Sequence, residues 1–89
     1  MGDSGAVIRV YGTTWCPDCV RAKLVLDQHG TQYVWIDIQR DADAAAYVER
    51  VNKGMRSVPT IVFPDGSVLV EPSNAELTAK LQASHGVSS

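Results

Sequence analysis

The chain has 89 residues, 45% of them hydrophobic, and a formal net charge of −2. A chain of this length forms one hydrophobic core, so we expect a single domain over residues 1–89, with flexible ends at 1–5 and 85–89. Charges of both signs are interspersed, which argues against nucleic acid and membrane surfaces as partners. Because no signal-peptide pattern and no apolar run of bilayer length are present, we expect a cytoplasmic protein. We also expect a monomer.

The first half of the chain predicts a strand–helix–strand unit. Residues 6–11 form an apolar run typical of a buried strand, which Gly12 ends. Pro17 suits the first position of a helix, because its missing N–H costs nothing there, and Gly30 ends that helix. Residues 32–38 alternate in polarity as a strand does. The predicted apolar face of the helix consists of Val20, Leu24 and Val25.

A second helix is predicted after this unit, capped by Asp41 or Asp43 and ending at Gly54. Residues 58–63 and 68–70 then read as two strands joined by a Pro-Asp-Gly-Ser turn, which predicts an antiparallel hairpin. The predicted apolar face of the second helix consists of Ala44, Tyr47, Val48 and Val51.

The last predicted helix begins at a capping box formed by Ser73 and Glu76 and continues through Leu77 and Leu81. The complete order is β-α-β-α-β-β-α. This order predicts an α/β fold in which a four-stranded mixed sheet is flanked by helices, the minimal thioredoxin-type arrangement.

Two cysteines, Cys16 and Cys19, stand at the start of the first predicted helix. A disulfide between them closes too small a loop to stabilise the fold much. The free N–H groups and the positive dipole end of a helix, by contrast, stabilise an anion such as a thiolate. We therefore expect Cys16 to be the more exposed and more readily ionised thiol, which attacks, and Cys19 to be partly buried and to resolve the mixed disulfide. Asp18 lies between them, and a carboxylate there disfavours a thiolate unless it points to water.

The chain resembles the glutaredoxin class of redoxins, and within it the mycoredoxins of actinobacteria. The resemblance covers roughly residues 6–83. It is carried by the Thr-Thr-Trp-Cys-x-x-Cys stretch at 13–19, the Arg-Ser-Val-Pro-Thr stretch at 56–60, the Asp-Gly-Ser turn at 65–67 and the Pro-Ser pair at 72–73. The resemblance implies a thiol–disulfide oxidoreductase that binds no cofactor tightly and uses a low-molecular-weight thiol, mycothiol or glutathione, as co-substrate.

The resemblance also implies a substrate groove beside Cys16. It implies a cis peptide bond between Val58 and Pro59, which leaves the Val58 backbone free to pair with an extended substrate. Trp15 and Pro17 are expected to border this groove. Thr60 is expected to pack within its strand.

Three further residues are expected to contact the small thiol. Arg56 could bind a carboxylate of that thiol, although a solvated loop charge fits equally well. Ser73 and Asn74 stand at a helix start, which can hold an anionic or hydroxyl-rich group. The Gly-Gly-acidic pattern of typical glutaredoxins is absent here, and Glu71 would repel the glutathione carboxylate, so mycothiol is favoured.

The expected protein partners are S-thiolated or disulfide-bearing proteins, with mycothiol disulfide reductase as the electron source. One alternative is a dithiol redoxin recharged by thioredoxin reductase, for example as the electron donor to ribonucleotide reductase. Another is a metal or iron–sulfur module, although Cys16 and Cys19 supply only two of the four ligands that zinc prefers. A redox-sensing partner protein without turnover is a further possibility. No metal ligand is expected.

Overall fold

The computed structural model describes residues 7–86, with side chains described as far as residue 83. Within this part of the chain, the strands and helices in order are β1 (Ile8–Gly12), α1 (Pro17–Gln28), β2 (Tyr33–Asp37), α2 (Ala42–Val51), β3 (Thr60–Val62), β4 (Val68–Val70) and α3 (Asn74–Gly86). This is the predicted element order.

The four strands form one mixed sheet in the order β2-β1-β3-β4. β1 and β2 are parallel and are connected by α1, so Val10 lies opposite Trp35 and Gly12 opposite Asp37. β3 is antiparallel to β1 and to β4, and it forms the predicted hairpin with β4. The minimal thioredoxin-type fold is therefore confirmed.

Two hydrophobic clusters lie on opposite faces of this sheet, because successive strand residues point to opposite sides. Val10 and Ile61 belong to a first cluster that also takes residues of α1 and α3. Tyr11 and Val62, their neighbours along the same strands, belong to a second cluster under α2. Tyr11 is a core residue, since its side chain is buried.

The predicted apolar face of α1 is wrong for two of its three residues. Val20 is 50% exposed and Leu24 is 54% exposed, whereas Val25 is buried as predicted. The helix turns a different stripe of side chains toward the core that it shares with the sheet and α3. The buried residues of α1 are Cys19, Ala22, Val25 and Leu26.

The helix starts follow the predicted capping chemistry. The Asp41 carboxylate accepts a hydrogen bond from the Ala44 N–H at 3.0 Å, which selects Asp41 over Asp43 as the cap. The Ser73 hydroxyl accepts from the Glu76 N–H at 3.0 Å, while the Glu76 carboxylate accepts from the Ser73 N–H at 2.8 Å. Both predicted caps are thus confirmed.

Several boundaries differ from the prediction. β3 is shorter than the predicted strand over residues 58–63, and α2 ends at Val51, before Gly54. Gly12 is the last residue of β1 rather than its breaker. α3 continues to Gly86, into the stretch expected to be flexible. The other predicted flexible positions, 1–5 and 87–89, lie outside the described residues. Over the range that the structure describes, no helix combines the length and apolar character that a membrane span needs.

Candidate active site

Cys16 occupies the N-cap position of α1, and Pro17 follows it in the first turn. The Cys16 Sγ accepts a hydrogen bond from the backbone N–H of Cys19 at 3.3 Å. The sulfur therefore takes the place that a serine or aspartate oxygen usually takes at a helix start, where free N–H groups and the helix dipole favour negative charge. Local sequence alone produces this placement, since Pro17 fixes the first turn.

Both thiols are free, and they differ in burial. Cys16 is 7% exposed, whereas Cys19 is completely buried rather than partly buried as expected. Burial, assisted by hydrogen bonding to Cys16 and by the charges of Cys16 and Asp18, raises the pKa of Cys19 to about 12. A backbone hydrogen bond from Thr13 opposes this rise. Cys19 is consequently a protonated thiol at neutral pH, and Cys16 is the sulfur that a substrate can reach.

The Val58–Pro59 segment lies next to Cys16, and its peptide bond is cis, as the resemblance implied. The Val58 carbonyl oxygen lies 3.9 Å from the Cys16 Sγ and accepts its S–H. Among the described residues, no backbone or side-chain acceptor takes the Val58 N–H. This segment therefore offers a backbone edge within reach of the nucleophile.

Thr60 fixes the segment formed by Ser57, Val58 and Pro59 through hydrogen bonds of its side chain. The Thr60 hydroxyl, completely buried, donates to the Ser57 carbonyl at 2.7 Å and accepts from the Asn52 side chain at 3.2 Å. The Pro59 carbonyl accepts from the Glu71 N–H at 2.8 Å. Thr60 packs within its strand as predicted, and it also fixes the position of the loop that faces Cys16.

Trp15 is 68% exposed, which excludes a core role, and its expected role as a wall of the substrate groove stays a prediction. Its indole N–H donates to the Gln39 side chain at 3.1 Å. Gln39 belongs to the loop between β2 and α2 and borders two open grooves. One groove, of about 550 Å³, is lined by Thr14, Trp35, Asp37, Gln39 and Arg40. The other, of about 510 Å³, is lined by Ile38, Gln39, Arg40, Ala42, Ala45 and Arg56.

The carboxylate of Asp18 has a partner. Arg21 lies one turn further along α1 and forms an ion pair with Asp18 at 3.0 Å, with both side chains 46% exposed. Arg21 also donates to the Asn74 side chain at 3.0 Å, which joins the starts of α1 and α3. The charge between the two thiols is thus partly balanced, and Asn74 is engaged by Arg21.

Two further predicted site residues, Arg56 and Ser73, form contacts with neighbouring side chains of the protein. Arg56 pairs with Glu49 at 2.5 Å on an exposed surface, and it borders the second groove. Ser73 is exposed, and its hydroxyl and N–H are both used by the capping box with Glu76. Their roles toward a small thiol stay predictions.

Gly12 and Trp35 belong to the site, although the sequence did not mark Gly12 as part of it. A Cβ on Gly12 would lie 2.6 Å from the Cys19 Sγ and 2.7 Å from the Cη2 atom of Trp35. The Lys23 ammonium lies 4.3 Å from the centre of the Trp35 ring. Trp35 packs against the first core cluster, which includes residues of α1. The glycine directly before the Thr-Thr-Trp-Cys stretch was the available sequence signal for close packing at this point, but the residue that packs there, Trp35, lies on the neighbouring strand.

No group of three or more His, Cys, Asp or Glu side chains among the described residues could hold a metal ion. His29 lies at the far end of α1, where its ring contacts the Val25 carbonyl at 3.0 Å. The N-cap thiol of Cys16 is the more exposed of the two, the completely buried thiol of Cys19 lies one turn away, and the backbone of Val58 lies beside Cys16. This arrangement is typical of a thiol–disulfide exchange site of the thioredoxin type.

Comparisons with known proteins narrow this class. The glutaredoxin family model matches residues 8–69. A protein of Mycobacterium tuberculosis named as a glutaredoxin is 43% identical over 76 residues, which cover 85% of this chain and 90% of that protein. Mycoredoxin 1 of Corynebacterium glutamicum is 40% identical over 76 residues, which cover 85% of this chain and 94% of that protein. The solved structure of the thioredoxin-like protein BC3987 superposes with a TM-score of 0.66 at 32% identity, covering 85% of this chain and 96% of that one.

The chain belongs to the glutaredoxin family. It is a thiol–disulfide oxidoreductase, in agreement with the resemblance that its motifs carry. The solved glutaredoxin of Archaeoglobus fulgidus has the same fold, with a TM-score of 0.65 at 25% identity over 90% of this chain and 86% of that one.

Proposed function

We propose that this protein reduces mixed disulfides between proteins and a low-molecular-weight thiol, with Cys16 as the nucleophile and mycothiol as the preferred thiol. The observation that carries the proposal is the difference between the two thiols. Cys16 stands at the helix start and is the more accessible sulfur, whereas Cys19 is completely buried.

The reaction begins when the Cys16 thiolate attacks the sulfur of the small thiol in the mixed disulfide. A bond forms between Cys16 and that sulfur, the original disulfide breaks, and the protein client leaves as a thiolate that takes up a proton. A second molecule of the small thiol then attacks the mixed disulfide on Cys16. This step releases a disulfide of two small thiols and regenerates Cys16, so the cycle does not require Cys19.

Reduction of a disulfide within a protein client follows a second route. Here Cys16 forms a mixed disulfide with the client, and Cys19 must lose its proton and attack Cys16 to release it. Because burial raises the pKa of Cys19 to about 12, this route is the slower one at neutral pH. The Val58 N–H and the cis bond before Pro59 would align an extended client beside Cys16 by strand addition.

The preference for mycothiol rests on charge near the start of α3. Glu71 is exposed beside this helix, and the Glu76 carboxylate takes the Ser73 N–H. A carboxylate of glutathione placed at Ser73 and Asn74 would meet these two charges, whereas the sugar and inositol groups of mycothiol carry no such carboxylate. The relationship to Mycoredoxin 1 of C. glutamicum supports the same choice. In this proposal the protein acts in the cytoplasm as a monomer, with mycothiol disulfide reductase as its electron source and S-thiolated proteins as clients.

The test compares three electron sources with one small mixed disulfide as substrate: mycothiol with its reductase, glutathione with its reductase, and thioredoxin reductase alone. We expect the mycothiol rate to exceed the glutathione rate by at least ~10-fold, equivalent to about 1.4 kcal/mol of discrimination. Cys19→Ser should retain this turnover, and Cys16→Ser should abolish it. Turnover with thioredoxin reductase alone, lost in Cys19→Ser, would instead assign the protein to the dithiol redoxins.

A matched pair of variants tests the charge argument. Glu71→Gln should raise the glutathione rate while leaving the mycothiol rate unchanged. Asp43→Asn removes an exposed carboxylate from the first turn of α2 and serves as the control, for which both rates should stay the same. An equal effect of the two variants would contradict a local role of Glu71.

A further inference from the structure

Trp35 stands between the buried sulfur of Cys19 and the open groove beside the active-site loop. A Cβ atom on Gly12 would lie 2.6 Å from the Cys19 Sγ and 2.7 and 3.0 Å from two atoms of the Trp35 ring. Trp35 also lines the groove of about 550 Å³, together with Thr14 and Gln39. The ring therefore fills the space left by the missing side chain of Gly12 and separates Cys19 from the solvent in the groove.

Several contacts hold the ring in this place. Trp35 lies in β2 opposite Val10 of β1, so its backbone is fixed by the parallel ladder. The Lys23 ammonium of α1 covers the ring at 4.3 Å. A side chain at position 12 would collide with the Trp35 ring, so the ring can lie here only because residue 12 is glycine.

We propose that Trp35 is a positioning residue that seals the Cys19 thiol from water, and that it thereby decides whether a mixed disulfide on Cys16 is released by an external thiol or by Cys19. The second part of this inference rests on the proposed function. Internal release breaks the bond between Cys16 and the bound thiol, forms the Cys16–Cys19 disulfide, and frees the bound thiol, which takes up a proton as Cys19 loses one.

The seal acts through solvation of the thiolate. A sulfur in apolar surroundings is costly to ionise, and water in contact with it lowers that cost. Burial is the largest influence on Cys19, followed by Thr13, Cys16 and Asp18, and these last two are the titratable neighbours that act on it. Asp18 stays in place when Trp35 is shortened, and position 16 is the same in the two proteins being compared, so a change in Cys19 reactivity would report the lost seal.

The first experiment measures alkylation of Cys19 by iodoacetamide across the pH range in a Cys16→Ser background. Without Trp35 substitution, we expect alkylation to be slow at neutral pH and to rise only in strongly alkaline solution. Trp35→Leu should raise the rate at pH 8 by at least ~10-fold and move the midpoint of the pH profile down by about one unit or more. Tyr33→Leu is the control, because Tyr33 lies on the same strand and packs against the same cluster.

An unchanged pH profile in folded Trp35→Leu, or an equal change in Tyr33→Leu, would overturn the proposal. This measurement involves no turnover, so its outcome is independent of the identity of the small thiol. Trp35→Phe leaves a smaller void and should give an intermediate profile if Trp35→Leu does not fold.

A second measurement follows internal release directly. A chromophoric thiol is loaded onto Cys16, excess reagent is removed, and release of the chromophore is timed without added thiol. Trp35→Leu should accelerate this release several-fold relative to the Tyr33→Leu control. A slower release would show that Trp35 aligns Cys19 for attack instead of restraining it, and would overturn the proposal.

The two tryptophans of the chain allow a check without changing Trp35. Trp15→Phe leaves Trp35 as the remaining tryptophan. Its fluorescence should change when the Cys16–Cys19 disulfide forms, and this change should vanish in Cys19→Ser. Identical emission before and after oxidation would contradict contact between the ring and Cys19.

Discussion

Replacing Gly12 with alanine adds one methyl group at the closest contact between β1, β2 and α1. The new Cβ would lie 2.6 Å from the Cys19 Sγ and 2.7 Å from the Trp35 ring, whereas ordinary contact begins at 3.4 Å. Both neighbours must move, and Trp35 is held by Lys23 and by the sheet. The substitution therefore tests whether this packing is as tight as the structure shows.

The expected cost follows from two opposing effects. Overpacking of a core costs ~1–3 kcal/mol, while a Gly-to-Ala change gains ~0.4–1 kcal/mol by restricting the unfolded chain. We expect Gly12→Ala to lower the free energy of unfolding by about 1–2 kcal/mol, which in a domain of this size lowers the Tm by about 4–8 °C for each kcal/mol.

Urea unfolding of the reduced protein measures this cost, and a double-mutant cycle assigns it to the sulfur. Cys19→Ala removes the Sγ atom that the new methyl group meets, so Gly12→Ala should cost less in the Cys19→Ala background. The difference should exceed the ~0.3–0.5 kcal/mol within which independent sites add. Additive effects, or a Gly12→Ala protein as stable as the native one, would refute the reasoning.

Gly30→Ala is the control for this cycle. Its Cβ would meet no atom within 4 Å, but the residue has a φ of +64°, so its cost of ~1–2 kcal/mol comes from the left-handed backbone conformation. The same Cys19→Ala substitution should leave that cost unchanged.

Two further substitutions test contacts that hold the site in place. Thr60→Val leaves the Ser57 carbonyl and the Asn52 amide without their buried partner, so we expect the free energy of unfolding in urea to fall by ~1–3 kcal/mol. The reaction at Cys16 should also become slower, because the Val58 segment loosens. Unchanged stability would show that water replaces the hydroxyl. Hydrogen bonds from Lys80 and Ser67 hold the pKa of Asp65 well below its usual range. The ionised Asp65 carboxylate therefore stabilises the fold above its unfolded-state pKa of about 3.9, and this stabilisation is lost as the pH falls below that value. Asp65→Asn should therefore unfold at lower urea than the native protein at pH 7, with the difference shrinking in acid; a difference independent of pH would contradict the ionic contribution.

Much of the fold, and the position of Cys16 at a helix start, could be predicted from local sequence. Alternating and helical periodicities located the seven elements, and the capping residues Asp41 and Ser73 marked two helix starts, because these signals act between residues close in the chain. Cys16 followed from the same local logic, since Pro17 and the helix start decide where its sulfur lies. The cis bond before Pro59 came from the resemblance rather than from the residues themselves.

Tertiary structure decided which surfaces face each other. Val20 and Leu24 are exposed although they are apolar, whereas Ala22, Val25 and Leu26 are buried, because packing against the sheet and α3 selects which face of α1 is covered. Gly12 and Trp35 are far apart in the chain and meet Cys19 only when β1 and β2 pair. The sequence by itself thus placed Cys16 at the start of a helix, while the burial of Cys19 depends on contacts between distant segments that no local pattern records.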